Sequence, residues 1–173
     1  MTEPIYVGID NGVSGSIGIV GIGREPLMLH IPVKKELSYT KAKRFLTRVD
    51  WKMLRDLFWQ NLIKIKDGEV RDVRAFLERP MVNPTRFQAT SSALRALEAT
   101  LIVLEAQQFP VQYVDSREWQ RIMLPSGLKG AGELKKASAD VGRRMFPNLR
   151  AVIDKQGDAD GLLMAEWARR ERR

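Results

Sequence analysis

Residues 5–20, IYVGIDNGVSGSIGIV, form the segment that says most about the architecture of this chain. Two short β-type runs, residues 5–9 and 16–20, flank a turn rich in Gly, Asn and Ser, and this pattern predicts a β-hairpin. Asp10 ends the first run, on apolar scaffolding and beside glycines that let another backbone or a phosphate approach. An ionised carboxylate on such scaffolding costs free energy unless a cation lies beside it. A metal ion is the first candidate for that cation.

The composition restricts the classes of protein that fit. The chain has 173 residues, 44% of them hydrophobic and 29% charged, which predicts one globular domain spanning residues 1–173. A net charge of +8 and a pI of about 10 favour a polyanionic partner, nucleic acid before an anionic membrane surface. The absence of cysteine excludes disulfides, thiolate catalysis and Cys-ligated zinc, and the sole histidine, His30, leaves no His pair for zinc.

The apolar runs are also informative about location. All of them fall far short of the roughly 20 residues that a membrane helix needs, and no signal peptide is recognisable. We therefore expect a cytoplasmic protein with no membrane association. Catalysis in such a chain would have to use carboxylates, lysines or hydroxyls.

The chain beyond the hairpin alternates between strand and helix patterns. A third strand is predicted over residues 25–33, a helix over residues 50–66 with a glycine stop at Gly68, and a buried strand over residues 70–77. Between them, the basic segment 34–48 fits either a solvated connection or a nucleic-acid surface.

Residues 87–108 carry the longest helical pattern, with leucines at 3-4-3 spacing from Leu94 to Leu104. This seam fits packing on the sheet and equally a helix of another subunit. A short strand follows at residues 111–114. Further predicted elements are a helix N-capped by Asp115, a helix over residues 133–145 and a last helix from about Asp158. The resulting order, β-β-β-α-β-α-β-α-α, predicts an α/β domain.

Four acids stand at the ends of apolar elements: Asp10 after the first strand, Glu78 after the fourth, and Asp158 and Asp160 where the last helix begins. In open α/β sheets, ligands collect at strand ends. Carboxylate oxygens suit Mg²⁺ or Mn²⁺, and such a set can hold two ions about 4 Å apart for in-line phosphoryl displacement. One ion would lower the pKa of the attacking water and the other would stabilise the leaving 3′ oxygen.

Each acid also has a purely structural interpretation. Asp10 suits the turn of an Asp-Asn-Gly sequence. Asp158 can be a helix N-cap, and Asp160 a first-turn acid favoured by the helix dipole. Glu78 can pair with Arg79. The joint placement of the four acids favours the metal site.

The ordered set of motifs resembles the RNase H-like nucleases, and especially RuvC-type Holliday-junction resolvases of phage and bacteria. The matching segments are YVGIDNGVSGSIG (residues 6–18), FLERP (76–80), VDSREWQ (114–120) and GDADGLLMA (157–165). This resemblance implies an RNase H-like α/β fold. Its mixed five-stranded sheet would have three antiparallel strands followed by a parallel β-α-β unit, flanked by helices.

The resemblance also implies an activity. It is that of a Mg²⁺-dependent crossover junction endodeoxyribonuclease, with Mn²⁺ as a substitute and two ions per active site. The enzyme would resolve four-way DNA junctions by paired symmetric nicks that leave 5′-phosphate and 3′-hydroxyl ends. The acids carried over as catalytic and metal-ligating residues are Asp10, Glu78, Asp158 and Asp160.

The fourth acid departs from the family pattern. The family places it three or four residues before the last acid, where this chain has Gln156 and Gly157. Asp158 or Asp154 would have to serve instead, and we prefer Asp158 because it adjoins the expected site. The family lysine near the scissile phosphate corresponds to Lys135 or Lys136. A solvated basic helix face is the alternative for both lysines.

The resemblance further implies a homodimer that binds branched DNA, with the subunit contact on the helix from Leu94 to Leu104. Besides the basic segment 34–48, the candidate phosphate contacts are Arg79, Arg86, Lys129, Lys135 and Lys136. Two alternatives remain. One is a non-catalytic branched-DNA-binding module with a decayed nuclease site. The other, an actin-like or sugar-kinase ATP-binding fold, needs two such domains and more than twice this length.

Overall fold

A computed structural model describes residues 4–21, 23–39, 41, 44–63 and 72–171. The strands are β1 (Ile5–Ile9), β2 (Ser16–Gly21), β3 (Leu27–His30), β4 (Val33–Leu37), β5 (Phe45–Val49), β6 (Val73–Glu78) and β7 (Val111–Val114). The α-helices are α1 (Trp51–Phe58), α2 (Phe87–Ala106), α3 (Ser116–Met123), α4 (Gly130–Met145), α5 (Arg150–Gln156) and α6 (Asp160–Arg170). Among these residues, no helix is both long enough and apolar enough to cross a membrane.

Five strands form the main sheet in the order β3-β2-β1-β6-β7. The strands β3, β2 and β1 are antiparallel neighbours, whereas β1, β6 and β7 run parallel. The opening hairpin and the mixed sheet are therefore confirmed. Because Ile9 pairs with Leu77 in the parallel β1–β6 register, the residues that follow, Asp10 and Glu78, emerge side by side at one edge of the sheet.

Glycines allow α6 to pack closely on β1 and β2. A Cβ on Gly8 would overlap the carbonyl oxygen of Gly161, and a Cβ on Gly18 would overlap the backbone of Leu162. The amide of Gly161 also donates a hydrogen bond to Ser16 Oγ at 3.2 Å. These contacts hold the first turn of α6 against the carboxyl end of β1, which brings Asp160 to the same edge as Asp10.

The two faces of the sheet carry two hydrophobic clusters, as expected for strands whose side chains alternate. On one face, Tyr6 and Phe76 pack with Trp119, Trp167 and the helices α3 to α6. On the other face, buried aliphatic side chains of β1, β2 and β6 pack against α1 and α2. The acids at the strand ends lie beside a tightly packed scaffold.

The segment after β3 corrects two predictions. The predicted strand over residues 25–33 ends at His30, and Val33 begins β4, which pairs with β5 in a separate two-stranded sheet. Pro32 lies between them, and proline has no N–H to donate to a ladder. The described part of the basic segment 34–48 is thus a β-hairpin and not an irregular connection. Lys43 lies outside the described residues.

Charged residues stabilise this hairpin and explain why its strands were missed. The carboxylate of Glu36 contacts Lys34 Nζ at 2.5 Å and Arg48 Nη1 at 2.6 Å. The contact with Arg48 joins the two strands, whereas Lys34 lies on the same strand as Glu36. A strand rich in charged side chains has the composition of a solvated loop.

The predicted helix over residues 50–66 is confirmed in its described part. The side chain of Asp50 caps α1 by accepting hydrogen bonds from the amides of Lys52 and Met53. A π-helical turn, Trp59–Ile63, continues the helix. The predicted stop at Gly68 lies outside the described residues, as does the start of the predicted strand at residues 70–71.

The carboxyl-terminal part differs from the prediction in the starts of two helices and in one additional helix. The helix α4 begins at Gly130 and not at residue 133, and α5 was not predicted at all. Gly157, at φ +89°, ends α5 in a left-handed conformation, which glycine adopts without strain. The last helix begins at Asp160 and not at Asp158, with Ala159 as its N-cap.

The leucine seam of α2 faces mostly inward. Leu104 is fully buried, and Leu97 and Leu101 pack against the second hydrophobic cluster. Leu94 is 42% exposed and Ile102 is 53% exposed. Core packing therefore accounts for three of the four leucines, and the exposed apolar side of α2 carries Leu94 and Ile102.

Candidate active site

Three of the four predicted acids converge in the structure. Asp10 follows β1, Asp158 lies in the loop between α5 and α6, and Asp160 is the first residue of α6. One carboxylate oxygen from each residue lies within 4.8 Å of the other two. Glu78 ends the neighbouring strand β6, and its charge contributes to raising the pKa of Asp10. We refer to Asp10, Glu78, Asp158 and Asp160 as the acidic cluster.

Ser138 on α4 holds the Asp160 side of the cluster. Its fully buried hydroxyl donates a hydrogen bond to Asp160 Oδ1 at 2.5 Å and accepts one from the Ala159 amide at 3.0 Å. The amide of Asp160 also donates to Asp158 Oδ1 at 3.4 Å. A single hydroxyl therefore joins α4 to the backbone and the side chain that open α6.

Trp119 on α3 holds the Glu78 side of the cluster. Its indole Nε1–H donates a hydrogen bond to Glu78 Oε2 at 3.3 Å, and its side chain is fully buried. Buried indole N–H groups need such a partner. The contact fixes one carboxylate oxygen of Glu78.

Lys135 brings a positive charge to the cluster. Its Nζ lies 3.2 Å from Asp158 Oδ2, and Asp158 is only 1% exposed, whereas Lys135 is 58% exposed. Desolvation lowers the pKa of Lys135, but the hydrogen bond to Asp158 and the charges of Asp158, Asp10 and Asp160 outweigh it and raise the pKa. Lys135 therefore stays charged at neutral pH.

The positive charge of Lys135 does not balance the negative charge of the four acids. Burial, followed by the charges of Glu78, Asp160 and Asp158, raises the pKa of Asp10 well above its usual range. Burial raises the pKa of Glu78 to about 7 despite the hydrogen bond from Trp119, and that of Asp160 to about 6 despite the bond from Ser138. Perturbations of this kind are typical of functional sites.

The donor set fits a hard divalent cation. Asp10, Asp158 and Asp160 offer carboxylate oxygens at a mutual spacing that suits coordination of one ion, and Glu78 adjoins them. Oxygen-only donors favour Mg²⁺ or Mn²⁺ over zinc or copper. A divalent cation would also remove the electrostatic cost that raises these pKa values.

Asp154 lies outside this cluster. Its Oδ1 accepts a hydrogen bond from Arg143 Nε at 2.5 Å, its Oδ2 lies 3.9 Å from Arg150 Nε, and the side chain is 47% exposed. Of the two candidates for the fourth acid, Asp158 is therefore the one beside Asp10 and Asp160.

The predicted phosphate contacts are all exposed. Arg79 follows Glu78, and its guanidinium lies 5.4 Å from the ring centroid of Tyr113. Arg86 precedes α2 and Lys129 precedes α4. Lys136 is the neighbour of Lys135 on α4.

The sequence-based interpretation missed the roles of Ser138 and Trp119. Ser138 is three residues after Lys135 on one helix, a spacing that puts both on the same face. Trp119 lies inside the family-like segment 114–120, but nothing in that segment indicates that its N–H reaches Glu78. That pairing requires the spatial neighbourhood of β6 and α3.

Comparison of the sequence with protein-family models and with curated proteins finds no match. Comparison with solved structures finds RuvC from Thermus thermophilus in complex with a Holliday junction substrate, at a TM-score of 0.54 and 12% identity, over 99% of this chain and 96% of that chain. A second structure of Thermus thermophilus RuvC matches at a TM-score of 0.54 and 13% identity, over 96% of each chain. The chain thus adopts the RNase H-like fold in the arrangement that RuvC has.

Proposed function

We propose that this protein is a divalent-metal-dependent endodeoxyribonuclease that resolves four-way DNA junctions by paired symmetric nicks. The observation that carries the proposal is the convergence of Asp10, Asp158 and Asp160 beside Glu78, in a fold that matches RuvC over nearly its whole length. A chain with a net charge of +8 concentrates these acids at one buried place. Such an arrangement is costly unless a cation binds there.

The residues of the acidic cluster divide the work in this proposal. Asp10, Asp158 and Asp160 would hold a divalent cation, and Glu78 would complete the site for a second. Such cations would supply a more acidic water and positive charge beside the phosphodiester, and hydrolysis would leave 5′-phosphate and 3′-hydroxyl ends. Trp119 and Ser138 keep two carboxylates in place before the DNA arrives, since preorganised groups need no rearrangement during the reaction.

Lys135 is proposed to contact the scissile phosphate. Its Nζ is anchored to Asp158 and its side chain is more than half exposed, so the ammonium can face both the acids and the DNA. Arg79, Arg86, Lys129 and Lys136 are proposed as outer phosphate contacts. Such contacts position the duplex and make binding salt-dependent without reading its sequence.

Paired nicks require two active sites, so the proposal includes a homodimer. The exposed apolar side of α2 is the proposed contact, because Leu94 and Ile102 are 42% and 53% exposed there. A symmetric contact of this kind uses the same patch on both subunits.

The test is a labelled four-way junction incubated with the protein and Mg²⁺. Symmetric nicks on opposing strands are expected from the wild type. The Asp10→Asn variant should lose cleavage by roughly 10³-fold or more while still binding the junction, because the amide keeps the shape and removes the charge. Binding is measured by gel shift in Ca²⁺ or EDTA.

Two outcomes contradict the proposal in different ways. Junction binding without cleavage by the wild type favours a branched-DNA-binding module with a decayed site. Cleavage that persists in the Asp10→Asn variant removes the acidic cluster from the reaction.

A further inference from the structure

A groove separates the β4–β5 hairpin from the start of α2. Its volume is about 500 Å³, within the range of small-molecule sites. The lining residues used below are Val13, Tyr39, Arg44, Phe45, Phe87 and Arg95. We call it the hairpin groove.

Three aromatic side chains in the hairpin groove are unusually open to solvent. Tyr39 is 76% exposed, Phe45 is 71% exposed and Phe87 is 77% exposed. Isolated exposed hydrophobic residues are ordinary, but several that line one groove indicate a contact surface. Aromatic rings that face a groove can stack on flat ligands.

The charged residues that line the hairpin groove are all basic. Arg44 and Arg95 are among its lining residues, and none of the twelve residues that line it is Asp or Glu. Arg95 Nη1 donates hydrogen bonds to the Tyr39 hydroxyl at 3.2 Å and to Ser91 Oγ at 3.4 Å. The guanidinium therefore links α2 to the hairpin and places a cation next to an aromatic ring.

The hairpin groove is continuous with the turn that carries Asp10. Val13, in the same β1–β2 turn, lines the groove. Asn11 Nδ2 donates a hydrogen bond to the carbonyl of Ala93 on α2 at 3.2 Å. A ligand in the groove would thus contact the turn that follows the first acid of the cluster.

We propose that the hairpin groove binds an unpaired nucleobase of the DNA strand, stacked on Tyr39 or Phe45, with the adjoining phosphate on Arg44 or Arg95. Aromatic rings beside cations, with no acid among them, are the arrangement by which proteins bind single-stranded nucleic acid. Duplex DNA keeps its bases stacked and presents only phosphates to such a groove. The proposal rests on DNA being the substrate of the proposed nuclease, and it names the DNA feature recognised beside its site.

The experiment compares two ligands in EDTA, where metal-dependent cleavage cannot occur. One is a fluorescein-labelled oligothymidylate of about 12 nucleotides, a length that suits a single site. The other is an abasic phosphodiester of the same length. The wild type is compared with a Tyr39→Ala/Phe45→Ala double variant and with Trp59→Ala as a matched control. Trp59 is 54% exposed and lines a different cavity, with Arg55 and Gln107.

The wild type and the Trp59→Ala control should bind oligothymidylate about 5- to 100-fold more tightly than the abasic strand, as expected for stacking of one base. The double variant should lose most of this preference and keep its affinity for the abasic strand. Equal affinity of the wild type for both strands overturns the proposal, and so does a double variant that keeps the preference. If the double variant binds both strands as the wild type does but sediments differently, the groove is a contact between two copies of the chain. That result also overturns the proposal.

Junction cleavage in Mg²⁺ separates this proposal from the nuclease proposal. A wild type that prefers bases but never nicks the junction contradicts the nuclease alone. A wild type that nicks the junction but does not distinguish the two strands contradicts the groove alone.

Discussion

Two aspartates on either side of the carboxyl end of α5, four residues apart, have opposite surroundings. Before the end of the helix, Asp154 is 47% exposed and contacts two arginines. Beyond it, Asp158 is 1% exposed and lies with Asp10 and Asp160. The charge of Asp154 is balanced by arginines of the same chain. Asp158 belongs to a group of acids whose negative charge exceeds the positive charge beside it.

The different surroundings of Asp154 and Asp158 indicate where a ligand is required. An exposed aspartate between arginines contributes about 0–1 kcal/mol and needs nothing further. In the acidic cluster, burial and then repulsion from neighbouring acids raise the pKa of Glu78 and of Asp160. Burial and missing countercharge, more than the abundance of acids, mark the cation site.

The largest expected effect separates the two aspartates of this comparison. Asp158→Asn should lower junction cleavage by roughly 10³-fold or more, because it removes a charged ligand. Asp154→Asn should change the cleavage rate by less than about twofold, since surface pairs carry little energy. Single-turnover cleavage of one labelled junction measures both. Comparable losses in the two variants would show that the two aspartates do not differ as described.

Stability against pH sharpens the comparison without DNA. In the metal-free protein the pKa values of Glu78 and Asp160, about 7 and about 6, exceed their ordinary values of 4.5 and 3.8. The folded protein thus binds more protons than the unfolded chain between about pH 4 and pH 7. Its free energy of unfolding should therefore fall as pH rises through this window. The shift of Glu78 from 4.5 to about 7 corresponds to about 3 kcal/mol.

Urea denaturation in EDTA, from pH 4 to pH 8, measures this fall. Saturating Mg²⁺ should reduce it, since the bound cation stabilises the ionised carboxylates. The Asp154→Asn variant should follow the wild type. A metal-free stability that rises across the window would contradict the described electrostatics of the acidic cluster.

A smaller effect is expected from Ser138→Ala. The variant removes the hydroxyl that bonds to Asp160 and to the Ala159 amide. Loss of such a supporting contact typically weakens metal affinity or activity 10- to 100-fold. Mg²⁺ affinity is read from the shift of the thermal unfolding midpoint with Mg²⁺ concentration. Restoration of that affinity by Ser138→Thr would distinguish positioning by the hydroxyl from a general packing defect, and unchanged affinity in Ser138→Ala would exclude the positioning role.

The sequence was most informative where local pattern and spatial position coincide. The hairpin, β1 to β3, β6 and β7 follow from short apolar runs bounded by turns, and Asp10 and Glu78 follow from the ends of parallel strands. The order of these elements was enough to predict the fold, because the connections of α/β domains permit few arrangements.

Other features depend on contacts that no local pattern reports. The strands β4 and β5 carry the composition of a loop and are joined by an ion pair between Glu36 and Arg48. Sequence alone left Asp154 and Asp158 as alternatives, because only the packing of α5 and α6 puts one at the surface and the other with Asp10. The side chains of Ser138 and Trp119 acquire their roles from partners that are distant in sequence, Asp160 and Glu78.

The most direct test of the central claim is Mn²⁺ binding followed by electron paramagnetic resonance, without DNA. The wild type and Asp154→Asn should bind Mn²⁺ saturably at pH 7.5, and Asp158→Asn should lose most of this binding, because its carboxylate joins those of Asp10 and Asp160. Circular dichroism confirms that each variant is folded. Saturable binding retained by Asp158→Asn and lost by Asp154→Asn would contradict the assignment of the acidic cluster as the cation site.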